Sequence, residues 1–443
     1  MTDQVRVLDE TAPHVLGDDD TPRPKDSPFN PWRFAKTEAS RAVVSEAIAQ
    51  IQHYEVHHVL RRRRRKGDDQ ETFELTVEAI VCDLMHHKLF RRPDGIYVTR
   101  SNDILGHRNR YRPRVYGKTF PDILDRLAEL AWIVQDIGHG DGRQGARRTT
   151  IRPGPRLVER MEVQAVTFAD LGYTGAAETI ILKREKEDFW DEADVIDYQD
   201  AENTRFFRRQ MREVNEWLQT AEIDCATFLG DTGPIPDTDE RALRRIFTRA
   251  KFDSGGRLFG GFWQGMSKDD RFDRLFVNGE AIVELDYAQM GPRQLYGMKS
   301  AVPDMADLYA IPGFERYRGG IKTVFSAMVF HDKPLTRMPR GAGNKFAKDT
   351  GITDVTDAIM GHHPAIADVF FQGMGHSVQF QESQIMVDIL LQLKSHGIVA
   401  LPIHDAILVA ASHVDVARQV MLDVFRHHVG FPGLVDVSSM PST

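Results

Sequence analysis

Two aspartates in this chain sit where a carboxylate is costly to leave alone. In GEAIVELDYAQMGPR, Ala281, Val283 and Leu285 alternate with Ile282 and Glu284 as in a strand, and the strand ends on Asp286. In LPIHDAILVA, apolar runs flank His404 and Asp405, which reads as a tight β-hairpin with Asp405 at its turn. An acid at the end of a buried strand must pair or bind a cation to offset its lost hydration. Each motif also has an ordinary structural reading, as a helix cap or as a turn residue. A third segment, RGGIKTVFSAMVF, sets Arg318, Lys322, Ser326 and Phe330 four apart, on one broad helix face. Two cations followed by an aromatic ring suit a triphosphate and then a base. A solvated basic helix start is the plain alternative.

In this order the segments resemble the motifs of family-A polymerases, the DNA polymerase I-like and single-subunit RNA polymerase-like enzymes. Arg257, Arg274, Phe276, Asp286, Tyr287, Gln289 and Arg293 fit the first motif and its approach. Arg318, Lys322 and the Phe330 position fit the fingers helix, and His404 with Asp405 fits the third motif. QFQESQIMVDILLQL, carrying Gln381, resembles the helix before it, and the likeness covers about residues 253–422. It implies an α+β polymerase palm, an antiparallel sheet plus helices, with small helical fingers. It also implies template-directed nucleotidyl transfer onto a primer. Asp286 and Asp405 would be catalytic and, with the backbone carbonyl of Tyr287, would hold two Mg²⁺ ions, with Mn²⁺ a candidate substitute. Two such ions ~3.5–4 Å apart align an attacking hydroxyl and relieve charge on the leaving group, and Mg²⁺ prefers oxygen ligands. Arg318, Lys322, Phe330, Tyr287 and Gly291 would meet the nucleoside triphosphate. Arg257, Arg293, Gln381 and His404 would meet the primer–template duplex.

Several positions depart from that pattern. Gly291 stands where the family places a Glu that blocks the ribose 2′-OH, and Ser326 where it places an aromatic or Met. Phe330 replaces a Tyr, and Ala406 replaces the third acid or Ser after His-Asp. Only 119 positions separate the two aspartates, so the fingers must be small. No paired-carboxylate exonuclease motif precedes the palm. A primase or template-independent transferase, and a non-catalytic DNA-binding replication initiator or regulator, are the alternative readings.

Palm chemistry needs a β-hairpin between helices, and helical periodicity over residues 378–396 and 414–428 flanks His404-Asp405 in that way. Upstream, residues 1–28 read as a disordered tail and 29–71 as a helical basic segment, its helix starting near Thr37 and ending in the run 61–66. Residues 72–165 resemble a winged helix-turn-helix. Phe73, Val77, Ile80, Val81 and Leu84 form one helical stripe, and Phe120, Ile123, Leu124, Leu127 and Leu130 a second. Strands over 131–137 and 149–152 then enclose a Gly-rich basic tip. Arg143, Arg147 and Arg148 would lie on the wing, with Arg108, Arg110, Arg112 and Arg114 before the second helix, to meet phosphates. A winged helix used for protein contacts is the alternative. Residues 166–252 form a helical connector or thumb-like region, mostly helical over 185–240, with Phe206, Met211, Val214 and Leu218 inward. The palm and fingers occupy 253–443.

A chain of 443 residues can hold two or three such cores. Its net charge of −8 argues against a uniform nucleic-acid binder, yet residues 61–160 carry 22 Lys+Arg against 14 Asp+Glu. Acid is concentrated over 185–202, which fits one face that grips phosphate. No apolar run approaches the ~20 residues of a membrane span, and the acidic start lacks a signal-peptide h-region, so a cytoplasmic protein is expected. Cys82 and Cys225 lie too far apart in sequence to suggest a CxxC metal site or a disulfide framework, and read as buried fillers.

Overall fold

A computed structural model of the chain describes residues 26–438, apart from 62, 91–94, 139–147, 176–177, 187–190, 192 and 227–235. The fold is mixed α+β, and the chain divides into two compact units, Met1–Ala177 and Glu178–Thr443. Among the described residues no helix is long and apolar enough to cross a membrane. Cys82 is buried and Cys225 is half-buried, both as free thiols.

In the first unit, the helices Glu38–His57, Gly67–Leu89 and Phe120–Glu129 bury one apolar core. Phe120, Ile123, Leu124 and Leu127 fall on the buried face of the third helix, as their 3.6-residue spacing requires. The strands Ile133–Asp136 and Thr149–Pro153 pair antiparallel, and the second also pairs with Ile96–Val98. Gly154 has to be glycine here, because a Cβ would stand 2.3 Å from the Ala131 carbonyl oxygen. Most of the expected tail lies outside the described residues. At its end, however, Ser27–Pro28 joins the sheet beside Ile96–Val98, so the tail stops sooner than its composition suggests. The first helix begins after Thr37 and ends at His57, before the basic run. Within that run Arg65 pairs with Glu55 at 2.7 Å and lies 3.7 Å over the Phe73 ring, which ties it to the protein rather than to phosphate.

The second unit carries the larger sheet. Glu280–Tyr287 is its central strand, flanked on one side by Ala406–Ala410, which pairs onward with Ala400–Ile403. The other edge is shared. Leu275–Val277 covers the strand's beginning, and Val435–Ser438 covers residues 284–287. All these pairings are antiparallel. A smaller sheet of Gly255–Phe259, Arg244–Phe247 and Ile180–Leu182 packs near the long helix Gly375–Ser395. The stretch 185–240 is less helical than expected: among its described residues only Glu202–Thr220 is helix. There Phe206 is 44% exposed and Phe207 is the inward ring, stacked 5.2 Å from Phe247. Phe207, Met211, Val214 and Leu218 are spaced 4, 3 and 4 apart along one face, and Phe206 is about 100° off it.

Candidate active site

The central strand delivers Asp286 to its end, and sheet register fixes its neighbours. Asp286 lies directly opposite Ala406 on one side and Asp436 on the other. Ile403 pairs with Ala406, so His404 and Asp405 form a two-residue turn, and His404 takes the positive φ (54°) that the first residue of such a turn needs. The Tyr287 amide donates to the Asp405 carbonyl at 3.4 Å, which joins strand end to turn. Alternation sends the Tyr287 side chain away from Asp286. Its hydroxyl donates to the Met421 carbonyl at 2.5 Å and its ring packs 5.2 Å from Phe425, so only its backbone faces this site.

Asp286 is half-buried, and its Oδ1 is buried without a hydrogen-bond partner. Burial, then the Asp405 and Glu284 charges, push its carboxyl up to about 7, while Lys322 and Lys268 pull the other way. Lys322, from the helix Arg318–Phe330, is therefore close enough to act on Asp286. Glu284, two residues earlier on the same face, is neutralised by Lys268 at 2.6 Å and Arg271 at 3.9 Å. The Asp405 charge is felt by Arg257, Tyr309, Glu382 and His404, all within its reach.

The other expected residues divide into those near these acids and those used as scaffold. Arg257 makes a bidentate pair with the buried Glu382 at 2.7 and 2.8 Å. His404 packs edge-on to Phe259, its Nδ1 is buried without a partner, and burial followed by the Arg257 charge lowers its pKa. Gln381 donates to the His428 carbonyl at 3.3 Å and leaves its Oε1 buried without a partner. Arg293 is buried and its Nη2 lies 3.5 Å from the Ala306 carbonyl, a placement inside the protein rather than on an open duplex face. Arg318 makes a bidentate pair with Asp307 at 2.6 and 3.1 Å. Phe330 is 38% exposed at the helix end, edge-on to His376. At Gly291 an added Cβ would meet only Val378 Cγ1, at 3.8 Å. In the first unit Arg148 lies 4.6 Å over the Tyr97 ring, while Arg143 and Arg147 lie outside the described residues. Sequence reasoning missed Asp436, Asp307 and Tyr309. The alternation Val435-Asp436-Val437 marks a strand, but only the register puts its acid beside Asp286.

The donor set fits an oxygen-seeking divalent cation. A buried carboxylate oxygen without a partner, beside a second carboxylate that raises its proton affinity, is relieved by a dication with oxygen ligands.

No family model and no curated protein matches the chain. Among solved structures it is similar to the POL domain of Pol1 from M. smegmatis in complex with DNA primer-template and dNTP. The identity is 9% and the TM-score 0.30, over 92% of this chain and 66% of that one. The chain thus spans just under two thirds of that domain's length, and at this TM-score a common fold is not established.

Proposed function

We propose that the chain is a template-directed nucleotidyltransferase, extending a nucleic-acid primer from nucleoside triphosphates. The observation that carries this reading is the unpaired, buried Oδ1 of Asp286 at a strand end, beside the hairpin turn that holds Asp405. Asp286 and Asp405 would hold Mg²⁺, with the Tyr287 carbonyl as a further oxygen. When bound, the metal would supply a lowered pKa at the primer 3′-OH and charge relief on the pyrophosphate. Lys322 would place its ammonium on the triphosphate beside these acids, and Arg318 would grip the outer phosphate in a planar fork. Phe330, partly exposed at the end of the same helix, offers a face for the incoming base. His404, half-buried in the turn beside Asp405, and Gln381, half-buried on the helix Gly375–Ser395, would meet the primer–template. Arg257 would act there through its exposed edge, its other edge being held by Glu382.

The first unit we read as a winged helix-turn-helix that grips duplex. Support comes from a helix pair followed by a two-stranded hairpin, with Arg148 next to the second strand at the hairpin's loop end.

A labelled primer–template extension assay, with all eight nucleotides and a template-free control, tests the proposal. Asp286→Ala and Asp405→Ala should abolish incorporation while duplex binding persists. Incorporation without template would move the reading to a transferase, and full activity in either variant would sink the metal assignment. No incorporation by the wild-type protein, with duplex binding intact, would favour the non-catalytic DNA-binding reading.

A further inference from the structure

We propose that Asp307 is a positioning residue that holds Arg318 ready for the terminal phosphates of a nucleoside triphosphate. The inference rests on the reading above that Arg318 meets the triphosphate. Asp307 takes the Nε and Nη2 edge of the guanidinium at 2.6 and 3.1 Å. The guanidinium also lies over the Tyr309 ring, 5.5 Å from its centroid. One edge and one face are thus fixed, and a guanidinium still has donors to offer on its remaining edge. The side chain is 51% exposed, so a ligand can reach that edge.

An exposed ion pair orders little when both partners sway. Here the carboxylate is held. Its Oδ1 accepts the Tyr309 amide at 3.1 Å, which fixes the carboxylate plane. The loop around it is pinned from two directions. Gln289 Oε1 accepts the Leu308 amide at 2.6 Å while its Nε2 donates to the Ala306 carbonyl at 3.2 Å. His363 Nε2 donates to the Leu308 carbonyl at 2.9 Å. Tyr309 is buried edge-on to Phe325, on the helix that carries Arg318 itself. Gln289 holds a positive φ (58°) at the start of the helix Met290–Met298, two residues after the strand that carries Asp286. The catalytic strand and the arginine are therefore tied to one anchored loop. Ordering a long side chain before binding spares the ligand that cost, which amounts to about a three- to tenfold gain in affinity.

The test measures binding of an α,β-methylene nucleoside triphosphate, and of the matching monophosphate, to the full-length protein on primer–template. Asp307→Ala should weaken the triphosphate about three- to tenfold and leave the monophosphate unchanged. In turnover the loss should appear in KM, with kcat held. Asp307→Asn, which keeps an oxygen acceptor, should fall between. In an Arg318→Ala background, Asp307→Ala should cost nothing further, because the two act as one unit. Unchanged or tighter triphosphate binding in Asp307→Ala overturns the positioning role, as does an equal loss in the Arg318→Ala background. If Arg318→Ala binds as the wild type does, the phosphate role of Arg318 falls and this inference falls with it. A loss in Arg318→Ala alone overturns only the role of Asp307.

Discussion

Replacing Asp286 by Asn should separate the cost of the site from its use. In the metal-free protein the Asp286 Oδ1 is buried with no partner, and Asp405 stands beside it. An unsatisfied buried polar group costs about 1–3 kcal/mol, and more when charged. Asp286 is only half-buried, so the low end applies, about 1–2 kcal/mol. An amide carries no charge to desolvate, and its N–H can donate to the Asp405 carboxylate. Asp286→Asn should therefore stabilise the metal-free unit by that amount. With ~2–4 °C per kcal/mol for a unit of this size, the rise in Tm is about 2–8 °C. Magnesium should reverse the order. A ligand at a hundredfold excess over its Kd stabilises the folded form by about 2.7 kcal/mol, and only the wild-type protein should gain it. Scanning calorimetry in EDTA and in MgCl₂, on both proteins, reads all four states. A lower Tm for Asp286→Asn in EDTA would mean that its carboxylate is satisfied after all. An equal Mg²⁺ gain in both proteins would place the cation elsewhere.

Three further outcomes follow from single residues. Gly291→Glu should fold, because its Cβ meets only Val378 Cγ1 at 3.8 Å, and should shift kcat/KM against ribonucleotides by roughly tenfold or more, about 1.4 kcal/mol; a wild-type sugar preference above roughly a thousandfold would put the gate at another residue. His363 is buried between Tyr296 and the Leu308 carbonyl, and burial holds its pKa down from 6.5 to about 4. The unfolded chain takes up that proton first, so stability is full above pH 6.5 and falls by up to about 3 kcal/mol as pH drops toward 4; urea melts of the wild type and His363→Gln should diverge across that window, and parallel curves would refute it. Arg148→Ala in the full-length protein should reduce the slope of log K for duplex against log salt by about 0.9, the share of one phosphate contact; an unchanged slope would take Arg148 off the phosphate path.

Local periodicity made part of this fold legible. The alternation in Glu280–Tyr287 and the apolar runs around His404-Asp405 are patterns of a few residues, decided by pleat and turn chemistry. The inward faces of Phe120–Glu129 and Glu202–Thr220 are equally local, although a one-residue error put Phe206 where Phe207 belongs. What stayed hidden depends on distant partners. Asp436 comes beside Asp286 through the pairing of strands 150 positions apart, and no local pattern encodes that register. For Arg257 and Arg293, sequence displays the charge and not the partners. Glu382, 125 positions away, and the Ala306 carbonyl supply those partners.

Pairing also separates the scaffold from the candidate site. The second unit holds several acids out of water, and each has a cation or donor assigned to it. Lys268 holds Glu284, Arg257 holds Glu382, and Arg208 holds Glu178 at 3.0 Å. A buried charge left unpaired is destabilising, and selection for stability alone would remove or pair it. Among the described residues, Asp286 Oδ1 is the one carboxylate oxygen that is buried with no partner. It stands at the junction of the central strand, the His404-Asp405 turn and the reach of Lys322, where an open coordination position would be useful. Arg257 and Glu382 each answer the other's charge, so their pair explains itself without a ligand. Asp286 does not, and under the proposed function the missing partner is a cation brought with the substrate.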